Sequence, residues 1–121
     1  MKIMSYKDLI VWQKAMDLVV GIYDITNHFP KSETYGLISQ MRRAAVSIPS
    51  NIAGGSRRSS RKYFRNFLLI AYGSGSELET QIELSKRLSF GSALDYSGTD
   101  KLLDEVMRML NKMISNLRTN N

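Results

Sequence analysis

Leu103, Val106, Leu110, Met113 and Leu117 follow one another at spacings of three, four, three and four residues. That rhythm puts all five on one stripe of a helix, a bundle seam that a lone helix cannot bury. Other helices must cover it, and three more stretches read as helical, with no strand-like alternation surviving beyond a few residues. The first runs from Ser5 or Tyr6 to about Asn27 and is closed by His28-Phe29-Pro30, where proline forbids continuation. The second begins after Ser32, a candidate N-cap ahead of the acidic Glu33, and aligns Leu37, Ile38, Met41, Ala44, Ala45, Ile48 and Ile52 on one face. Because that face keeps step through Pro49, the proline reads as a kink inside one helix that Gly54-Gly55 stop; an end at Ser47 is the alternative. The third runs from Ser59 or Ser60 to Leu88 and buries Phe64, Phe67, Leu68, Ala71, Gly75, Leu78 and Ile82. Its Gly73-Ser74-Gly75-Ser76 segment weakens helix propensity and forms a notch that a neighbouring backbone can approach. A loop over Phe90 to Ser97 leads to the fourth helix, with Ser97 and Asp100 as a capping pair. Four helices on short loops predict an all-α, antiparallel up-down-up-down bundle, a single domain over residues 1–121.

The first helix is too apolar for a corner of such a bundle. Leu9, Val11, Trp12, Ala15, Met16, Leu18, Val19, Ile22, Tyr23 and Ile25 fill more than half of its circumference. The surplus, assigned to Val11, Leu18, Ile22 and Ile25, predicts a subunit interface and hence a homo-oligomer.

Charge is as unevenly spread as hydrophobicity. Residues 34–76 hold seven Lys/Arg and no carboxylate, so this segment carries +7 of a net charge of +6 and the remainder is close to neutral at −1. The densest part is Ser56-Arg57-Arg58-Ser59-Ser60-Arg61-Lys62-Tyr63-Phe64-Arg65. Cations in the first turns of a helix meet its positive dipole end, an arrangement that suits an anion bound between them. Arg58, Arg61, Lys62 and Arg65, extended by Arg57 and by Arg43 on the preceding helix, therefore predict a site for nucleic-acid phosphates.

Other chemistry is poorly provided for. Cysteine is absent, so no thiolate or Cys-ligated zinc can be built, and the single histidine, His28, sits at a helix C-terminus where its partial charge is favourable without a further role. Gly54-Gly55 lacks the Gly-Lys-Ser/Thr of a phosphate loop, and Gly73-x-Gly75 has Leu78 where a dinucleotide fingerprint needs glycine. No cofactor, metal or catalytic residue is predicted; an enzyme would have to draw on Glu77, Glu79 and Glu83. The apolar runs fall far short of the roughly 20 residues that span a bilayer, and no signal core opens the chain, so a cytoplasmic protein without membrane contact is expected.

Val11-Trp12-Gln13, Phe29-Pro30, Gln40-Met41-Arg42-Arg43-Ala44-Ala45, Ser47-Ile48-Pro49-Ser50-Asn51-Ile52-Ala53-x-Gly55 and Ala71-Tyr72-Gly73-Ser74-x-x-Glu77-Leu78 together resemble the bacterial four-helix-bundle family encoded within 23S rRNA intervening sequences. The chain departs from that pattern at Gly54, where relatives commonly carry Glu. It is also similar to the accessory protein of diversity-generating retroelements. That resemblance implies a five-membered ring, nucleic-acid binding and a reverse transcriptase as partner, and it supplies no catalytic residues. The function predicted is a non-enzymatic bundle that binds RNA or DNA backbone through its basic surface; the alternative is a scaffold whose basic face docks an acidic protein.

Overall fold

Ser5 begins the described chain, residues 5–57 and 60–118 of a computed structural model, with a capping box. Its hydroxyl accepts from the Lys7 amide and its own amide donates to Asp8 Oδ2, both at 3.1 Å. The box closes a single 3₁₀ turn, Tyr6–Asp8, after which Leu9 is extended. The predicted first helix is thus divided, and α1 proper spans Ile10–Thr26.

The second predicted helix is divided too. A 3₁₀ turn, Lys31–Glu33, leads into a wide π-type turn, Thr34–Ile38, in which Gly36 leaves helical geometry (φ −107°, ψ −116°). Glu33, not Ser32, supplies the cap, its Oε1 accepting from the Leu37 amide at 3.0 Å. From there α2, Ser39–Ser56, continues through the buried Pro49. Proline removes one helical donor, and in the loosened turn the Asn51 carboxamide donates to the Ser47 carbonyl at 2.8 Å and to Ser47 Oγ at 3.0 Å. Gly54-Gly55 do not stop α2 but lie inside its last turn. Their role is packing: a Cβ on Gly55 would stand 2.6 Å from that of Phe67.

α3, Arg61–Arg87, starts where the sequence predicts, with Ser60 as N-cap. α4 covers Ser97–Asn116. Its expected Ser97/Asp100 pair is replaced by Asp95, which accepts from the Ser97 amide at 2.9 Å and whose carboxyl is held below its ordinary pKa by that backbone bond. Asp100 instead receives Lys86 from α3 at 2.7 Å.

Each helix packs on its chain neighbours, and α1 also packs on α4, which closes the four-helix bundle and puts α1 and α3 at opposite corners. Leu103, Val106 and Leu110 of the seam are buried; the stripe then drifts to Ile114, leaving Met113 and Leu117 half-buried. They meet Val11, Ala15, Leu18 and Ile22 of α1, Met41, Ile48 and Ile52 of α2, and Leu68, Leu78 and Ile82 of α3 in one core. The bridge from Lys14 to Glu105 at 2.8 Å ties α1 to α4 across the rim and holds the Glu105 carboxyl below its ordinary pKa through that hydrogen bond.

This core corrects the predicted subunit interface. Val11, Leu18 and Ile22 are 1%, 0% and 0% exposed within the single chain, and Ile25 packs against the same cluster. A helix projection gives the width of an apolar arc but not which part of it neighbouring helices cover. Leu18→Ala should accordingly destabilise the fold by about 2–5 kcal/mol, measured by urea denaturation followed by circular dichroism. An unchanged midpoint would place Leu18 outside the core.

Candidate nucleic-acid interface

The end of the bundle at which α2 passes into α3 gathers the densest cations. Arg58 lies outside the described residues. Arg57 follows the last turn of α2, is exposed, and holds its guanidinium 5.3 Å from the centre of the Tyr6 ring. Lys62 is exposed in the first turn of α3, and no hydrogen bond or ion pair engages its ammonium among the described residues.

Arg61 and Arg65 have work inside the fold that the sequence does not reveal. A helix leaves its last four carbonyls without intrahelical donors. In α4, Met113 O accepts from Leu117 N and Ser115 O from Arg118 N, at 3.0 and 3.2 Å. The other two carbonyls are taken by α3: Arg65 Nε donates to Ile114 O at 3.2 Å and Arg61 Nη2 to Asn116 O at 2.9 Å. The cations that conflict with the positive end of α3 thus sit against the negative end of α4, and antiparallel packing resolves the conflict. A guanidinium has five N–H donors, so both side chains still have donors to offer an anion.

Arg43 leaves the predicted patch, and its neighbour Arg42, which was not part of it, is also engaged elsewhere. Arg42 is held at the end of α1, its Nε on Thr26 Oγ1 at 2.9 Å, its Nη2 on Asn27 Oδ1 at 3.0 Å, and its plane 4.3 Å from the Tyr23 ring centre. Arg43 lies fourteen residues before Arg57, about 20 Å along the helix, and lines a different feature. This is a polar trough of about 510 Å³ between α2 and α3. Its floor is the 2.8 Å hydrogen bond between Ser47 Oγ and Ser74 Oγ. Arg43 and Tyr35 stand on one wall, Glu77 and Gln81 on the other. Arg43 and Glu77 form no ion pair, and Gln81 Oε1 is buried without a hydrogen-bond partner among the described residues. The sequence reading missed Tyr35 and Gln81. The available signal was a polar ladder at helical spacings of three and four residues, Ser39, Arg43 and Ser47 on one helix and Ser74, Glu77 and Gln81 on the next.

A cleft of about 680 Å³ between α3 and α4 is lined by Glu79, Glu83, Lys86, Arg87, Asp100 and Asp104 among others. Apart from Glu79, its charges are paired: Lys86 with Asp100 at 2.7 Å, Arg87 with Glu83 at 3.2 Å, and Asp104 with Arg108 at 3.0 Å. The hydrogen bond to Asp100 raises the Lys86 pKa against the opposing effect of burial. No group of acidic, histidine or cysteine side chains among the described residues is arranged to hold a metal ion. No described helix is long and apolar enough to cross a membrane.

These features define a class, an all-helical four-helix bundle. The sequence matches the 23S rRNA-intervening sequence protein family over residues 7–112, and the chain belongs to that family. No curated protein matches it.

The capping geometry separates the arginines by role. Arg65→Ala should lower stability by about 1 kcal/mol, the usual net worth of a part-exposed hydrogen bond. Arg57→Ala and Lys62→Ala should leave the thermal midpoint within error. Equal midpoints for all three variants would deny Arg65 its place on α4.

Proposed function

We propose that this protein is a non-enzymatic, homo-oligomeric binder of RNA or DNA backbone. The observation that supports the reading is the bundle end where Arg57, Arg61, Lys62 and Arg65 converge, within a segment, residues 34–76, that has no carboxylate. Such a surface attracts phosphates without reading sequence. Arg57 and Lys62 carry most of the contact, because Arg61 and Arg65 divide their donors between α4 and the ligand.

The same reading includes a ring. With Val11, Leu18 and Ile22 buried, the exposed apolar residues of α1 are Ile10, Met16, Val20 and Tyr23, and Val46 of α2 is exposed as well. Between α1 and α2 runs a groove of about 340 Å³ lined mainly by Trp12, Met16, Val19, Val46, Pro49 and Ala53. On α3, the opposite corner, Leu69, Ile70 and Leu84 are further exposed apolar residues. Two unlike faces on opposite sides favour head-to-tail contacts, which close into a ring where the rotation permits. Five subunits, and a reverse transcriptase as protein partner, are what the resemblance to the retroelement accessory protein adds.

Two measurements test these statements. The logarithm of affinity for single-stranded RNA should fall with log salt, and Arg57→Glu with Lys62→Glu should flatten that slope by about 1.4, two single-strand phosphates, without lowering the melting temperature. An unchanged slope would leave the cations to an acidic protein partner. Light scattering at micromolar concentration should return several times the 13.8 kDa protomer mass, and Val20→Glu or Ile70→Glu should each reduce it while helical content persists. Both positions are more than half exposed, so a wild-type monomer, or an assembly indifferent to both changes, removes the ring.

A further inference from the structure

The trough between α2 and α3 is chemically unlike the cationic end. A surface that only grips phosphates gains nothing from a carboxylate facing the strand, yet Glu77, the acid that ends the long cation-only segment, stands in this trough across from Arg43. Each keeps its hydrogen-bonding capacity, since no ion pair joins them. Beside them Gln81 holds a buried carbonyl oxygen that no described residue partners. Guanidinium, carboxylate and carboxamide are the planar, two-pronged groups that read base edges. At the rim the wide turn Thr34–Ile38 holds Tyr35 outward, 96% exposed. A tyrosine ring with both faces open contributes nothing to the core and offers a platform on which an unpaired base can stack.

We infer that the trough seats one unpaired guanine of a bound single strand. Guanine is the base whose Watson–Crick edge places two donors, N1–H and the 2-amino group, side by side for a carboxylate, while its O6 and N7 accept from an arginine. Glu77 takes the two donors, Arg43 meets the acceptors, and the base stacks on Tyr35. The Ser47–Ser74 bond is already satisfied at 2.8 Å and forms the floor. Glu77 repels phosphate, so the strand's backbone stays outside the trough, where the cations of the bundle end, about 20 Å from Arg43 along α2, can hold it. The inference rests on the nucleic-acid reading above and adds base selectivity to it.

The test uses the full chain and labelled oligouridine decamers carrying at the centre guanosine, inosine, adenosine or an abasic site, with affinity read by fluorescence anisotropy. Guanosine should bind tightest, and inosine, which lacks only the 2-amino group, about tenfold more weakly. Glu77→Gln should abolish the difference between guanosine and inosine. Tyr35→Ala, at a position too exposed to affect folding, should bring the guanosine strand down to the abasic level. Both variants should keep the wild-type salt slope, because the cationic end is untouched. Equal binding of all four strands, or a preference for adenosine, overturns the guanine seat while a retained salt slope leaves the backbone reading standing. Absence of binding to any strand at low salt overturns both.

Discussion

The close approach of α2 and α3 is the constraint on which the other helix positions depend. Helices come close where side chains are small or missing, and here Ser47 meets Ser74 while Gly55 leaves the space that Phe67 fills. Ser47 Oγ accepts from the Asn51 carboxamide, and across this contact Ser47 and Ser74 satisfy one another with a 2.8 Å hydrogen bond. Gly75, one residue on, would drive a Cβ into the Met107 thioether of α4, so the same turn of α3 is kept small for two neighbours at once. The glycine and serine run that weakens α3 as an isolated helix therefore strengthens it as a member of the bundle. Tertiary packing outweighs a propensity deficit of roughly 1 kcal/mol per glycine.

Element type and order were legible in the sequence because they rest on periodicity. The step of Leu103, Val106 and Leu110, the continuity of Met41 through Ile52 across Pro49, and the Ser60 cap of α3 could each be read from spacing alone. Helix ends were less legible. Ser32 and Glu33 are both plausible caps, and which one bonds depends on the π-type turn that follows. Nothing in the one-dimensional pattern announces that turn. Gly54-Gly55 look like a stop because glycine usually ends helices, but their backbone stays helical and the missing side chains make room for Phe67.

The candidate site was legible as a charge imbalance and illegible as geometry. That residues 34–76 lack a carboxylate is a property of the sequence. That Arg61 and Arg65 face the final carbonyls of α4 requires knowing that residues 114 and 116 end up beside residues 65 and 61. Charge runs are therefore poor counts of ligand contacts. Of the cations in this segment, Arg42 closes α1 and two more close α4, so only part of the positive charge is uncommitted within the chain. The assignment of Val11, Leu18 and Ile22 to a subunit interface failed for a related reason. A projection of α1 shows that the apolar arc is too wide, but deciding which side is surplus needs the position of α4.

The bundle keeps three kinds of surface apart by giving each to a different part of the same four helices. Arg57, Arg61, Lys62 and Arg65 occupy an end, where helix termini already present unsatisfied groups and where Arg61 and Arg65 serve a neighbouring helix. Exposed apolar residues lie along α1 and α3, which the topology puts at opposite corners. Uncharged and oppositely charged polar groups line the trough above the α2–α3 contact, where a close helix approach leaves space only at the rim. Each location follows from packing. Small residues that bring α2 and α3 together deepen the seam between them, and the wide turn before α2 turns Tyr35 out over its edge. A substitution that separates α2 from α3, such as a larger residue at Ser74 or Gly55, therefore acts on the core and the trough together, whereas exchange of Tyr35 or Lys62 acts on a surface alone.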